Sequence, residues 1–442
     1  MTQTVNNKKN IHRFICPGCS LYCDDIQIIL SENNEIVETY GLCLKGYKKV
    51  NEITSKNRIK KPLIRENGEL KKVSFDEALN KVKEIIISSQ KPLLYGFVNT
   101  TCEAQINGIR LAKKINGFID SNASICHGQT YSNVIESGLN STTLNECINK
   151  ADVFIFWGSN AAESHPKFLT RTIFSRGKFR ITGREIKTLI LIDPRETATY
   201  GVAGARDLYI PLKPGKDLEL IQFLKDMILK EKSEVPADGF VGIDKQDLNR
   251  LILNLKGSEN GVILFGQGVI NSNPNGNVIK ALIELVELIN KTSKRSRFSI
   301  IPMTGHNMNG FIQVSLSLLG KMGQIEFSNN QLVEPKKDLI SKIKDDEFDL
   351  SIIVASDPIS NLPITLSSKL AKKPIIAIDC FISPTTRLAD VVLPVAIAGI
   401  ETDGLVYRMD NIPMNLQKLI APPANLSSDE QILEKIIQKM EE

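Results

Sequence analysis

Four of the eight cysteines stand close together near the start of the chain. Cys16, Cys19 and Cys23 share one short loop, and Cys43 returns after nineteen intervening residues, directly ahead of Leu44, Lys45 and Gly46. Sulfur gathered in this way can hold an inorganic centre. A disulfide framework suits a small secreted chain, but nothing at the N-terminus resembles a secretory signal. Zinc is usually met by two C-x2-C pairs, whereas this chain offers C-x2-C-x3-C and one distant partner. An iron–sulfur cluster also takes four thiolates, and three close cysteines with a remote fourth are one way to supply them. The spacing favours the cluster and leaves zinc as the alternative.

Three of the four histidines stand in loops: His127 in the 124–130 stretch, His165 in Glu163-Ser-His-Pro166, and His306 in Gly305-His-Asn-Met-Asn-Gly310. A histidine alone is more often structural than catalytic, and that holds for His165 and His306 taken separately. Cys126-His127 differs in kind. A thiolate able to bind a metal stands beside a group that can take or give a proton, in a glycine-containing turn. Cys102, Cys147 and Cys380 lack such neighbours and read as small buried apolar residues.

The elements that must position these groups repeat one pattern. Apolar runs at Pro92–Val98, Val153–Trp157, Thr188–Ile192, Val262–Phe265, Phe298–Met303, Leu350–Ala355 and Pro374–Ile378 alternate with helical stretches such as Asp217–Lys230 and Asn277–Lys291. Short strands without polar alternation, separated by helices, make parallel sheets covered on both faces, which is an α/β fold. Ser74 and Glu77 form a capping box ahead of a helix whose apolar face is Phe75, Leu79, Val82 and Ile86. In such sheets ligands bind beyond the carboxyl ends of the strands. Those ends here carry Gly158 and Asn160, Asp193 and Arg195, Gly266 and Gly268, Gly305 with His306 and Asn309, Asp357, and Asp379. Such residues suit turns and close approach of backbone to a phosphate or nucleotide. None has the G-x-G-x-x-G spacing, which disfavours a conventional NAD site.

Composition limits the rest. A chain of 442 residues, 42% hydrophobic and 24% charged, is globular and too long for a single ordinary core. Its net charge of +5 is spread without a polybasic block, so neither nucleic acid nor anionic lipid is an expected partner. The longest apolar run, Val391–Ile400, is broken by Pro394 and Gly399 and is too short to span a membrane. The polar N-terminus lacks the apolar core of a targeting peptide, and a cytoplasmic location is expected.

Taken together these residues carry a resemblance. The Cys16, Cys19, Cys23 and Cys43 pattern followed by Lys45-Gly46 resembles the iron–sulfur module of the molybdopterin oxidoreductases. Cys-Pro-x-Cys with Cys23-Asp-Asp, Cys126-His127-Gly, Trp157-Gly-Ser-Asn160, His165-Pro166 and Pro302-Met with Gly305-His306 are similar to the B-subunit family of the formylmethanofuran dehydrogenases. The run from Ala389 through Gly399-Ile-Glu-Thr-Asp-Gly404 to Asn411 is similar to it too, so the resemblance spans Cys16 to about Leu419.

The resemblance implies a tungsten or molybdenum bis-molybdopterin guanine dinucleotide and a 4Fe-4S cluster. Cys126 would ligate the metal, His127 assist proton movement, and Lys45 stand between cluster and pterin. The reaction would be reversible two-electron reduction of CO2 to formate, which another subunit condenses with methanofuran. Implied partners are an amidohydrolase-like subunit, ferredoxin-like electron donors, and a barrel subunit completing the pterin site, since only a helical tail, Ser428–Glu442, follows Leu426. The implied layout is a cluster module at 1–60, an α/β domain made of 61–120 with 331–442, and an inserted α/β domain at 121–330. One departure concerns the substrate: Thr304 stands where relatives often carry arginine, which leaves Arg295 and Arg297 as nearby sources of positive charge. Two other readings are a formate dehydrogenase or related pterin oxidoreductase, and a non-catalytic scaffold subunit of a formyltransferase/hydrolase complex.

Overall fold

The computed structural model describes residues 10–122, 125–178, 183–229, 234–272 and 277–442. Ser124, Lys230 and the polar stretch before residue 10 lie outside them. The chain divides into two compact units, one of 1–124, 305–408 and 413–442, the other of 125–304 with 409–412. The hairpin of Ile325–Ser328 and Gln331–Val333 pairs with Phe118–Ser121, which draws 305–330 into the first unit rather than the second. The cysteine-bearing segment belongs to the first unit as well.

In the first unit five parallel strands, Phe118–Ser121, Pro92–Gly96, Leu350–Val354, Ile375–Asp379 and Val391–Pro394, form the centre of a nine-stranded sheet edged by antiparallel hairpins. Both faces are apolar because both are covered. Leu94, Ile352, Ile376 and Leu393 face the helices Phe75–Ser88, Cys102–Lys114, Met308–Leu319 and Asp429–Lys439. Leu93, Ile353, Ile375 and Val392 face Leu339–Lys344 and Ile364–Leu370. The Ser74 cap forms as its residue types require: its hydroxyl accepts from Glu77 N, and Ser74 N donates to Glu77 Oε2 at 2.8 Å.

The sheet grows in both directions from Pro92–Gly96, with Phe118–Ser121 on one side and Leu350–Val354 on the other. That reversal opens a crevice at the strands' carboxyl ends. Gly96 turns there with φ 115°, where a Cβ would collide with the Val354 carbonyl oxygen.

Under the loops beyond this edge lies a buried ion pair. Arg58 Nη2 meets Glu401 Oε2 at 2.5 Å, with both side chains almost fully enclosed. Glu401 Oε2 also accepts from Ile397 N at 2.8 Å, and the Arg58 guanidinium lies 5.4 Å from the Phe381 ring centre. Removing one partner strands the other charge, which typically costs about 3–5 kcal/mol, whereas replacing both is far milder. Arg58→Met is therefore expected to lower the melting temperature sharply, and Arg58→Met with Glu401→Met to recover much of the loss. Equal melting temperatures for the single and double variants would show that the pair is not coupled.

The second unit is a five-stranded, all-parallel sheet in the order Leu208–Pro211, Thr188–Asp193, Val153–Trp157, Gly261–Phe265, Phe298–Pro302. Its largest core packs Ile155, Ile190, Ile263 and Ile300 against the helices Asp217–Leu229, Lys245–Gly257 and Asn277–Thr292. Growth reverses between Val153–Trp157 and Gly261–Phe265. Asp217 does more than open its helix: its Oδ1 accepts from the indole N–H of Trp157 at 2.7 Å. No helix among the described residues is long and apolar enough to cross a membrane.

Candidate functional site

The N-terminal loop is tied by Cys16 N donating to the Cys23 carbonyl at 3.0 Å and Tyr22 N to the Cys19 carbonyl at 3.1 Å. Cys43 precedes the helix Leu44–Asn51 and brings it back to the loop. Only glycine fits where the two meet: a Cβ on Gly46 would stand 2.8 Å from Cys16 Sγ, and one on Gly18 3.1 Å from Gly46 Cα. Burial, followed by the neighbouring Cys23, Cys19 and Cys43, pushes the Cys16 thiol up to about 12; Cys19 is likewise pushed up to about 12, chiefly by burial. Cys16 and Cys19 therefore sit where burial disfavours the thiolate, with Cys23 and Cys43 close enough to add to it. Cationic metal reverses that preference, because it binds thiolate. Among the described residues no three His, Cys, Asp or Glu side chains converge tightly enough for a single metal ion.

Beside this loop the first unit holds a cavity of about 470 Å³ at its switch point. Lys45, His306, Asp357 and Asp379 line it. It also takes residues that loop reading missed: Lys48 and Lys49 on the cysteine-borne helix, Cys380, and Asp429 from the C-terminal helix. Their signal was weak, since lysines on a short helix read as a solvated face. Cys380 is half-buried at the cavity wall rather than in the core, while Cys102 and Cys147 are buried as expected. His306 holds a left-handed backbone at φ 37°, and burial, then Lys49 and Lys45, lowers its pKa to about 4. Asp357 is already engaged, its Oδ1 accepting from Thr385 N and Oγ1 at 3.0 and 2.5 Å. Asn309 does not reach the cavity; it is buried in the helix Met308–Leu319 and donates to the Arg408 carbonyl at 3.1 Å.

Burial raises Asp379 to about 6 and Asp429 to about 7. Asp357 adds to the first shift and Asp379 to the second, while Lys49 opposes both and Arg58 opposes the second. A raised carboxyl keeps its proton when folded and loses it when unfolded. Its contribution to stability is therefore whole below the ordinary value of 3.8 and fades as pH rises toward 6 and 7. His306, held neutral, works in the opposite direction between about 4 and 6.5. Asp379→Asn or Asp429→Asn removes only the fading contribution. The melting-temperature difference, variant minus wild type, is expected to become more positive from pH 4 to 7 in the ligand-free chain. A difference that stays level with pH would contradict these environments.

The second unit's switch point is a knot of glycines. Gly158 turns with φ 53°, and a Cβ on it would stand 2.6 Å from Val269 N. A Cβ on Gly266 would stand 2.7 Å from the Gly158 carbonyl oxygen, and one on Gly268 2.7 Å from Gly158 Cα. The Gly158, Gly266 and Gly268 amides donate to the Ile192, Trp157 and Gly158 carbonyls, and beside this knot lies a cavity of about 230 Å³ lined by Gly158, Asp193, Asp217 and Gly268. Asn160 accepts from Thr199 Oγ1 at 2.9 Å, and His165 Nδ1 lies 2.9 Å from Ser164 Oγ, so both brace the loop after Trp157. Arg195 is exposed on the turn after Asp193.

Cys126 and His127 sit on this same edge, ahead of the helix Gly128–Ser137. Gln267 Nε2 donates to the Ile125 carbonyl at 3.4 Å, and the His127 ring packs 5.6 Å from Phe265. His127 is fully buried, with Nδ1 3.2 Å from Thr130 Oγ1 and Nε2 without a partner among the described residues. Burial lowers it to about 4, so the imidazole is neutral near pH 7. Cys126 remains partly exposed. Arg295 and Arg297 are exposed ahead of Phe298, at the amino end of that strand. Arg297 is taken up by the carbonyls of Ser293 and Ser296, so neither arginine serves the carboxyl edge where Cys126 lies.

One all-parallel sheet and one with a parallel centre, each with a cavity at its own switch point, make this a protein of the ligand-binding α/β class. The molybdopterin oxidoreductase family pattern matches residues 58–439. The chain is 35% identical over 98% of its length to the B subunit of the tungsten-containing formylmethanofuran dehydrogenase 2 of Methanocaldococcus jannaschii, covering 99% of that protein. It belongs to the molybdopterin oxidoreductase family and, within it, to the B-subunit family of the formylmethanofuran dehydrogenases. Among solved structures it resembles acetylene hydratase from Pelobacter acetylenicus, with a TM-score of 0.72, 15% identity and coverage of 97% of this chain and 69% of that one. It also resembles a chain of the formyltransferase/hydrolase complex from Methylorubrum extorquens, with a TM-score of 0.65, 18% identity and coverage of 86% and 98%.

Proposed function

We propose that this chain is the catalytic subunit of a cytoplasmic formylmethanofuran dehydrogenase, reducing CO2 reversibly to formate. The observation that carries the reading is Cys126-His127 on a glycine-built strand edge, in a chain that also gathers four N-terminal thiols. Cys126 would hold tungsten or molybdenum, the two cavities the pterin nucleotides, and Cys16, Cys19, Cys23 and Cys43 a 4Fe-4S cluster. A cluster takes one thiolate per iron, and the spacing of Cys16, Cys19, Cys23 and Cys43 supports that reading over zinc. When bound, these groups supply low-potential electrons and a soft-ligand site for two-electron chemistry.

The chain's own residues do the rest. CO2 takes two electrons and one proton to become formate, and His127 Nε2, buried and neutral, is placed to deliver or receive that proton. Gly158, Gly266 and Gly268 would let a phosphate approach the strand ends without side chains in the way. Asp193 and Asp217 accept from ligand N–H or hydroxyl groups, with Asp217 aimed by Trp157. Lys45, Lys48 and Lys49 supply positive charge beside phosphate or electron-rich pterin. Formate would pass to an amidohydrolase-like subunit for condensation with methanofuran, a barrel subunit would complete the pterin site, and ferredoxin-like partners would deliver electrons.

The test is anaerobic purification of the complex with iron, tungsten, molybdenum and pterin analysis, followed by formate and CO2 turnover with and without methanofuran. Redox turnover that persists at full rate without the methanofuran-handling subunit's product would favour a formate dehydrogenase. A complex free of all three metals that still transfers formyl groups would replace the reading with a scaffold.

A further inference from the structure

Beside Cys126 and His127 stands one hydroxyl whose only side-chain hydrogen bond among the described residues is to the imidazole. Thr130 lies in the first turn of the helix Gly128–Ser137, fully enclosed, with Oγ1 3.2 Å from His127 Nδ1. The backbone repeats the tie, Thr130 N donating to the His127 carbonyl at 3.0 Å. A threonine in a helix has few χ1 choices, so the closed turn fixes where its oxygen stands. His127 precedes the helix, but its side chain does not cap it. Its ring is held instead between Thr130 and Phe265, whose ring meets it at 61°.

A neutral imidazole carries one proton on two nitrogens, and the surroundings choose between them. Nδ1 has the Thr130 hydroxyl, whereas Nε2 is buried with no partner among the described residues. A buried N–H without an acceptor is a rarer orphan than an open lone pair. The Met303 carbonyl also favours an N–H on the ring. The proton therefore belongs on Nδ1, and the lone pair on Nε2.

We propose that Thr130 is a positioning residue for the proton exchange: its hydroxyl accepts from Nδ1–H, sets the tautomer of His127 and keeps Nε2 as the open base. This rests on the proton-handling reading of His127 above. Oxidising formate to CO2 releases one proton and two electrons; Nε2 takes the proton, and the electrons leave by way of the metal–pterin centre of that reading. In reduction the Nε2–H returns the proton. A hydroxyl can accept in both states of the ring, because Nδ1 keeps its N–H when Nε2 is protonated as well. A Thr130 that donated to Nδ1 would instead place the neutral ring's proton on Nε2 and close it as a base.

The test reads the ring first and turnover second. Nitrogen NMR of the full ligand-free chain with isotope-labelled histidine, near pH 7, tells Nδ1 from Nε2 by their couplings to the ring protons, and His127→Ala identifies the signal. Wild type is expected to carry its proton on Nδ1, and Thr130→Val to move it to Nε2. In the assembled complex Thr130→Val is expected to lower kcat for formate oxidation about tenfold to a hundredfold, as losing a hydrogen bond to a charged group does, with KM and metal content unchanged. Thr130→Ser keeps the hydroxyl and should keep the tautomer, with kcat within a few-fold of wild type. A packing role predicts the reverse order: valine has the shape of threonine and would be silent, whereas serine would leave a methyl-sized hole. A wild-type ring protonated on Nε2, or an unchanged tautomer or kcat in Thr130→Val, overturns the proposal while leaving the catalytic reading intact. A wild-type complex that turns over neither formate nor CO2 overturns that reading and this proposal with it.

Discussion

Replacing Cys126 by alanine is expected to lower formate oxidation at least about a thousandfold, equivalent to about 4 kcal/mol of barrier, while iron and pterin contents stay at wild-type levels. The size follows from where the residue sits. Its turn is tied to the glycine knot through Gln267 and packed beside Phe265 by way of His127, which holds the thiol at the strand edge. Serine there is expected to be nearly as inactive, since a hydroxyl is a harder and far less acidic ligand. His127→Ala should also lose most activity yet keep its tungsten or molybdenum, separating a proton-handling group from a ligand. Formate oxidation within a few-fold of wild type in Cys126→Ala would remove the redox role and leave the scaffold.

Cys43→Ser is the second large effect. Iron bound by the N-terminal loop should fall from about four atoms to nearly none, and turnover with a protein electron donor should vanish with it. Cys43 is the member that arrives from outside the loop, so its loss opens the ring on one side. Gly46→Ala should produce a milder version of the same defect with every thiol still present, because the added Cβ would press on Cys16 Sγ at 2.8 Å. Electron paramagnetic resonance of the reduced protein reads both variants. If Cys43→Ser keeps its iron and signal, the four-thiol assignment is wrong. Equal behaviour of Gly46→Ala and wild type would instead show that the helix Leu44–Asn51 can shift to make room.

The spacing of the four cysteines, the Cys126-His127 pair and the run of apolar strands ending in Gly, Asn or Asp could be read directly, because each is local. A strand without polar alternation is covered on both faces whatever its neighbours, and a Ser-x-x-Glu cap closes on itself. The glycines at 158, 266 and 268 were recognisable as turn residues, but not as a single knot pinning two strand ends together.

What the sequence alone determined, then, is the α/β class, the strand and helix sites and the family. The tertiary structure decided where sheet growth reverses in each unit, and with it which loops become cavity walls. Strand order depends on pairing between segments hundreds of residues apart, and no local pattern encodes it. The same cause drew 305–330 into the first unit, retired Arg295 and Arg297 to the amino end of their strand, and gave Asn309 to the Arg408 backbone. It also turned Asp429, an ordinary first-turn acid by its neighbours in the chain, into a buried acceptor facing the cavity. Burial is set by what packs on the other side, so only the folded chain could show it.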